Sequence, residues 1–250
     1  MIGNVTTLQA VELGVLGPLQ VRQDGEPVAI PGAKPRAVLT MLGLHHGSVV
    51  AADTLVELLW GEDPPRTAAK ALQTHISSLR RALGDGFVLT QGTGWALAES
   101  EVDASRYVSA ARLGRDAAAT GDISQAVAHF EEALALWRGI PELPDDRRGT
   151  SEKTRWIEGH AALVEDRADA LLATARAAEI IGELEAAVAE APLRERRWGQ
   201  LMLALYRAGR QGDALGAYQR ARTMLATSWE SIRGRSSDDL RPPSSHKMRH

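Results

Sequence analysis

The sequence contains no cysteine, and other features that define large classes of protein are missing as well. Without cysteine the chain has no disulfide, no thiolate zinc site and no thiol nucleophile, which fits a reducing cytoplasm. Its start, MIGNVTTLQAVELG, lacks the basic residues and the long apolar run of a signal peptide. The longest uncharged run, Ala37–Ala52, is interrupted by histidines and glycines and is too short to span a bilayer. We therefore expect a cytoplasmic protein with no membrane contact.

Motifs that carry catalysis, metals or nucleotides are also missing. The sequence has no G-x-x-x-x-G-K-[ST] phosphate loop, no H-E-x-x-H zinc motif and no G-x-S-x-G nucleophile elbow. His45 and His46 are adjacent at the end of a predicted helix, where neighbouring side chains point apart, so metal binding is the minor interpretation. We predict no catalytic residue, no metal site and no cofactor, and hence a protein that is not an enzyme.

The chain does have enough apolar residues, 44% of 250, for one large or two modest domains. Residues 1–10 are predicted to be a flexible leader. Residues 11–31 alternate apolar and polar side chains, and Asp24-Gly25 is a strong hairpin-turn signal. Helical patterns follow over 34–46 and 53–60, then a long helix and a hairpin over 87–98. From Val102 onward no strand pattern remains and the periodicity is helical.

The segment from Thr67 to Gly94 is the most informative part of the chain. It predicts a long helix, a Gly-Asp-Gly turn, a short strand and a Gly-Thr-Gly hairpin tip, the outline of a recognition helix followed by a wing. One face of the helix is an apolar stripe of Leu72, Ile76, Leu79 and Leu83. Between Arg66 and Arg81 there is no Asp or Glu, whereas a solvated face normally mixes both charge signs. The net charge is −3, so any contact with DNA has to come from this local patch.

We therefore predict that double-stranded DNA binds to the polar face of this helix. Lys70 and Arg81 are expected to contact phosphates or guanine edges, and Arg80 is expected to clamp the DNA backbone. The hydroxyl and amide side chains are expected to read bases, directly or through water. The complete predicted set is Arg66, Lys70, Gln73, Thr74, Ser77, Arg80, Arg81 and, at the wing tip beside the minor groove, Thr93. A solvated helix face is the alternative interpretation of the pattern.

Internal repeats organise the helical half. The spacing Ala126-x3-Phe130-x2-Ala133 recurs as Ala214-x3-Tyr218-x2-Ala221, and a weaker copy around Ala187 lies 34 residues before the last one, since 221 − 187 = 34. That period is typical of tetratricopeptide repeats, in which small residues let two helices approach and an aromatic side chain fills the groove between them. We predict that Phe130 and Tyr218 both fill such grooves. A generic helical bundle is the alternative.

These patterns together predict a two-domain protein: an α+β winged helix-turn-helix domain over 11–99, followed by an all-α tetratricopeptide-like domain over 102–226. The first domain favours a sequence-specific DNA-binding regulator. The second, taken alone, favours a protein-interaction scaffold without sequence-specific DNA binding, which is the alternative function. The acid-free face from Arg66 to Arg81 favours the regulator.

The chain also resembles the antibiotic-regulatory-protein family of actinobacterial transcription activators. The resemblance rests on LGPLQV, KPRAVLTMLGL and LVELLWGEDPPRTAAKALQTHISSLRRALG, then on AVAHFEEALALWRG, ALVEDR and APLRERRWGQLMLALYRAGRQGDALGAYQRAR, in this order over about residues 11–225. It implies an OmpR-like winged helix joined to a bacterial transcriptional activation domain. It also implies an activator that binds repeated promoter elements, contacts RNA polymerase and assembles as more than one copy on DNA, for example as a homodimer. The expected location is the bacterial cytoplasm, at the nucleoid.

The tail from Thr227 departs from the family. Relatives usually continue with a segment resembling ELGIDPGPELRRL, whereas residues 227–250 are polar, contain Pro242-Pro243 and have no apolar periodicity. We predict a disordered tail. Codons exist for residues 227–240 that encode ELGIDPGPELRRL when they are read two nucleotides later. We hypothesise a frameshift near Ala226.

Overall fold

The computed structural model describes residues 11–174 and 176–238, with side chains up to residue 227. Between Arg167 and Ala168 the chain divides into two units. The predicted leader, residues 1–10, lies outside the described residues. The predicted boundary near residues 99–102 falls inside the first unit, and the domain limits stay a prediction. In the part of the chain that the structure describes, no helix is long and apolar enough to cross a membrane.

All the described strands precede residue 103, and helices form the rest of the described chain. In chain order the first unit contains β1 (Val11–Gly14), β2 (Gln20–Gln23), β3 (Glu26–Pro27), α1 (Ala33–Leu44), β4 (Val50–Ala51), α2 (Ala52–Trp60), α3 (Ala68–Leu83), β5 (Val88–Gln91), β6 (Gly94–Leu97), β7 (Glu101–Val102), α4 (Asp103–Ala119) and α5 (Ile123–Ala135). Helix α6 (Arg147–Leu172) runs into the second unit, which continues with a 3₁₀ helix (Ala177–Ile180), α7 (Ile181–Glu190), α8 (Glu195–Arg207) and α9 (Gln211–Asp238). This is the predicted order of a winged helix followed by a helical domain.

Two small sheets flank the first three helices. The first has the order β3-β2-β1-β7, antiparallel except for the parallel pair of β1 and β7. Asp24 and Gly25 form its hairpin turn with φ values of 52° and 83°, so the turn predicted from this dipeptide is confirmed. The second sheet has the order β4-β6-β5 and contains the wing hairpin. The predicted apolar stripe of α3 is buried in the core: Leu72, Ile76, Leu79 and Leu83.

The β1–β2 connection is fastened to the helices that follow the wing. The Asp103 carboxylate, in the first turn of α4, accepts hydrogen bonds from the backbone N–H groups of Val15 at 2.8 Å and Leu16 at 3.1 Å. Glu142 accepts from the Leu19 backbone N–H at 3.1 Å and from Nε and Nη2 of Arg36 at 2.7 and 2.5 Å. The hydrogen bond from Arg36 is the main reason why the pKa of Glu142 lies below its usual value. These bonds join the β1–β2 connection and α1 to the start of α4 and to the α5–α6 connection, all within the first unit.

The hairpin of α4 and α5 follows the predicted repeat pattern. Its turn is closed by Asp122, whose carboxylate accepts from the Gln125 backbone at 3.1 Å and caps α5. Phe130 is 1% exposed and occupies the space beside Gly114 of α4, where an added Cβ would lie 2.5 Å from the ring. The predicted seam position of Phe130 is confirmed.

The prediction for Tyr218 was wrong, because its side chain is 53% exposed. The last hairpin, α8 with α9, buries Ala217 and Ala221 in its seam instead. Ala126 corresponds to Ala214, an offset of 88 residues, and the same offset aligns Gly114 with Met202. A methionine thus occupies the position in the last hairpin that glycine occupies in the first.

The tail also differs from the prediction. Helix α9 continues to Asp238, so the disorder predicted from Thr227 is contradicted as far as that residue. Residues 227–238 contain no proline, and extending an existing helix requires no new nucleation, which is the costly step of helix formation. The remaining tail, residues 239–250, including Pro242 and Pro243, lies outside the described residues.

Candidate nucleic-acid interface

Helix α3 presents its polar face to solvent, opposite the buried stripe. The exposed members of the predicted set on or just before the helix are Arg66, Lys70, Gln73, Thr74, Ser77 and Arg81. None of them forms an ion pair with a carboxylate of the described chain. The Thr74 hydroxyl donates to the Lys70 carbonyl at 3.1 Å, one helical turn earlier. The face therefore combines unpaired cations with hydroxyl and amide groups, which suits the phosphates and base edges of a DNA groove.

Arg80 differs from its neighbours because it is used within the domain. Its Nε donates to the Val88 carbonyl at 2.8 Å, and its Nη2 donates to the Thr90 hydroxyl at 2.8 Å. The guanidinium thus joins α3 to β5 of the wing. Its remaining N–H groups stay available for a phosphate. The predicted contact between Arg80 and the DNA backbone stays a prediction.

The wing tip is fixed by its backbone and exposed through its side chain. Thr93 is exposed at the turn between β5 and β6, while its carbonyl accepts from the Ala52 N–H at 3.0 Å. This bond joins the turn to the start of α2. The sequence predicts that Thr93 lies at the wing tip, and the structure confirms that position. Its exposed side chain can approach a nucleic acid. Its contact with a minor groove stays a prediction.

A stack of three side chains sets how α1, α2 and α3 meet. The Lys34 ammonium lies 4.2 Å from the centroid of the Trp60 ring, and Trp60 stacks on His75 with centroids 6.3 Å apart. Burial, and then the nearby charge of Lys34, lower the pKa of His75. The imidazole stacked on the indole therefore supports the middle of α3. The sequence contained no signal for this cluster, because its members lie on three different helices.

Two acidic residues that precede α3 in the chain share one cation from the start of α6. Arg147 forms an ion pair with Glu57 near the end of α2, and its Nε lies 3.5 Å from Glu62 in the α2–α3 connection. Negative charge close to the start of α3 is thereby partly cancelled. Cancelling it favours the approach of a polyanion to Lys70 and its neighbours.

The adjacent histidines at the end of α1 have structural partners. His45 Nε2 lies 3.1 Å from the Glu152 carboxylate, and His46 Nδ1 lies 2.8 Å from the Ser105 hydroxyl. Burial raises the pKa of Glu152, but hydrogen bonds from His45 and Arg155 outweigh this effect and hold the pKa at about 2. Among the residues that the structure describes, no three His, Asp or Glu side chains gather in a way that could hold a metal ion. The two imidazoles join α1 to α4 and α6.

Two protein families match the two halves of the chain. Residues 25–94 match the family described as "Transcriptional regulatory protein, C terminal", and residues 102–233 match the "Bacterial transcriptional activator domain". The first match contains α3, β5 and the wing turn, and it ends at the first residue of β6. The second begins just before α4 and covers more than half of the chain.

Curated relatives and a solved structure carry both parts. The chain is 38% identical to the transcriptional regulatory protein EmbR of Mycobacterium tuberculosis over 242 residues, which cover 90% of this chain and 61% of EmbR. It is 34% identical to the regulatory protein DnrI of Streptomyces peucetius, covering 86% of this chain and 85% of DnrI. A structure of EmbR from M. tuberculosis in complex with a low-affinity phosphopeptide superposes with a TM-score of 0.81 at 37% identity, covering 88% of this chain and 60% of that one. The chain thus spans about three fifths of the length of EmbR.

Proposed function

The chain belongs to the antibiotic-regulatory-protein family of actinobacterial transcription activators, and on that premise we propose that it binds promoter DNA sequence-specifically and activates transcription. The observation that carries the proposal is the exposed face of α3, which bears Lys70 and Arg81 but no carboxylate. Arg80 joins this helix to β5 of the wing, whose tip is exposed. A helix of this kind fits the major groove, while a wing fits the adjacent minor groove.

Each residue of the interface has a role in this proposal. Lys70 and Arg81 contact phosphates or guanine edges, and Arg66 contacts the backbone before the helix enters the groove. The base-reading groups are Gln73, Thr74 and Ser77, with Thr93 on the sugar–phosphate backbone of the minor groove. Arg80 orients the wing and uses its remaining donors on a phosphate.

DNA binding can be tested with duplexes that the protein itself selects from a random-sequence library. Fluorescence anisotropy then compares wild type with Lys70→Ala, Arg81→Ala and Arg112→Ala. Arg112 is the matched control, because it is an exposed cation that pairs with Asp116 on α4, away from α3. Losing a bidentate base contact should cost about 1–3 kcal/mol on the selected duplex. Losing a phosphate contact should instead reduce the salt slope by about 1.

The outcome separates the regulator from the protein-interaction scaffold. If both α3 variants bind as tightly as Arg112→Ala, then α3 is not the reader. If wild type prefers no sequence over a scrambled duplex, the helical domain remains as the functional part and the scaffold is favoured.

We further propose that the protein acts at the bacterial nucleoid, contacts RNA polymerase through its helical domain and occupies its promoters as more than one copy, with a homodimer as the smallest assembly. The EmbR structure contains a low-affinity phosphopeptide, but this chain spans only part of EmbR, so that ligand is not assigned to it. Transcription reconstituted with purified polymerase tests the contact with RNA polymerase. The number of shifted bands that the protein gives on one selected site tests how many copies bind.

A further inference from the structure

A groove of about 530 Å³ opens on the second unit, between α7 and α9 and above α8. Its volume lies within the range of sites that hold small organic ligands. The apolar part of its lining consists of Val188, Ala189, Pro192, Trp198 and Met224. The groove is lined by neither Phe130 nor Tyr218, and by no residue of the predicted DNA-binding set.

The base of the groove is a fixed aromatic side chain. Trp198 is 5% exposed, and its indole N–H donates to the Pro192 carbonyl at 2.9 Å. The polar edge of the indole is therefore satisfied within the protein. What the side chain can offer a ligand is its apolar ring.

The charge in the groove is divided between its two walls. On the α9 wall, the Arg220 guanidinium lies over the Trp198 ring, 5.7 Å from its centroid, and pairs with no carboxylate of the described chain. Gln219 and Thr223 add polar groups to the same wall, whereas Glu185 lies on the α7 wall. An anion is thus attracted to α9 and repelled from α7. A guanidinium held over an indole can pair with a carboxylate or sulfonate while the ligand's apolar body covers the remaining lining.

We propose that this groove binds an aromatic anion, with its acidic group on Arg220 and its rings against Trp198, Val188 and Met224. The α9 wall runs from Gly216 to Met224, a separation of eight residue steps or about 12 Å of helix. Two fused or linked aromatic rings have this length. Such a ligand would occupy the helical domain, separate from the DNA-binding face of α3.

Gly216 allows the groove to be closed without disturbing its walls. It lines the groove, and a Cβ built on it meets no atom within 4 Å, so a leucine side chain would extend into the open space. Gly212 lies one turn earlier on the same helix, is equally unobstructed and does not line the groove. Gly216→Leu and Gly212→Leu are therefore matched variants. Both remove a helical glycine, so neither is expected to lower the melting temperature.

The test uses 1-anilinonaphthalene-8-sulfonate, a two-ring sulfonate, and N-phenyl-1-naphthylamine, which has the same rings and no charge. Fluorescence titration of the whole chain should give a saturable site for the sulfonate. Gly216→Leu should weaken it roughly tenfold or more by filling the groove, and Gly212→Leu should leave it unchanged. Arg220→Gln should weaken the sulfonate about two- to fivefold and leave the neutral probe unchanged, while Glu185→Gln should strengthen the sulfonate.

Three results would overturn the proposal. The first is equal affinity of the sulfonate for the Gly216→Leu and Gly212→Leu variants, which would place the probe elsewhere. The second is that Arg220→Gln binds the sulfonate, like the neutral probe, as tightly as wild type does, which would show that Arg220 does not select an anion. The third is a wild-type dimer that becomes a monomer in Gly216→Leu, which would make the groove an interface between two copies of the chain.

Discussion

Replacing Asp103 by alanine should loosen the β1–β2 connection and destabilise the first unit. The carboxylate is 12% exposed, and one oxygen accepts from the Val15 N–H while the other accepts from the Leu16 N–H and, at 3.2 Å, from Arg138. Val15 and Leu16 are themselves 0% exposed. The Asp103→Ala variant therefore leaves two buried backbone donors without their acceptor.

The magnitude follows from those two donors. A buried donor left without a partner costs about 1–3 kcal/mol, which gives an upper limit of about 6 kcal/mol for two. A cavity of about 220 Å³ lined by Gly14, Asp103 and Arg138 lets water replace part of the loss. We therefore expect about 2–4 kcal/mol. At about 2–4 °C per kcal/mol for a chain of this size, the melting temperature should fall by roughly 4–16 °C.

Hydrogen exchange locates the effect. In Asp103→Ala the amides of Val15 and Leu16 should lose protection before the amides of α3 do, and Asp103→Asn, which keeps one acceptor oxygen, should lie between the variant and wild type. Asp116→Ala is the control, because it removes an exposed i,i+4 ion pair with Arg112 in the same helix, worth about 0.3–0.5 kcal/mol. An Asp103→Ala protein that melts like Asp116→Ala, with protected amides at 15 and 16, would refute the reasoning.

Four further predictions follow from other parts of the molecule. Phe130→Ala should destabilise the protein by about 3–5 kcal/mol because the ring is fully buried, whereas Tyr218→Ala should change stability by less than about 1 kcal/mol; equal losses in thermal melts would contradict the exposed position of Tyr218. Arg80→Lys should keep the charge but lose the two hydrogen bonds to β5 of the wing. The protein should then protect the minor groove of its selected DNA less well, with a smaller effect on the major groove. An unchanged hydroxyl-radical footprint would be evidence that Arg80 does not orient the wing. The folded-state pKa of Glu152 is lowered to about 2, so the contribution of its carboxylate to stability is complete above about pH 4.5 and is lost as the pH falls towards 2. Glu152→Gln should therefore be less stable than wild type at neutral pH. Urea titrations of this variant should also show a smaller loss of unfolding free energy between about pH 4.5 and 2. Genomic sequencing across codons 224–240 of this gene, compared with close relatives, should reveal an insertion or deletion. An intact reading frame shared with all relatives would exclude the hypothesised frameshift.

Much of the candidate DNA-binding surface could be predicted from the sequence because its pattern is local. A helix repeats every 3.6 residues, so the spacing of Leu72, Ile76 and Leu79 determines which side of α3 is buried, and the side of Lys70 must then face solvent. The Asp24-Gly25 turn was predictable for a similar reason, since its positive φ values depend on those two residues.

Contacts between distant segments could not be predicted in this way. The use of Arg80 on the wing depends on how β5 approaches α3, and the stack of Lys34, Trp60 and His75 depends on three helices meeting at one point. Tyr218 repeats the spacing of Phe130, but a repeat pattern records only positions along a helix and not whether the facing helix leaves room.

By itself the sequence determined the order of helices and strands, the buried side of α3 and the absence of acids from its exposed side, because each depends on neighbours a few residues apart. Only the tertiary structure decided that Asp103 and Glu142 hold the β1–β2 connection, across separations of 88 and 123 residues along the chain. The reason is physical. A buried backbone N–H requires an acceptor, and which distant carboxylate supplies it is settled only when the two segments pack together.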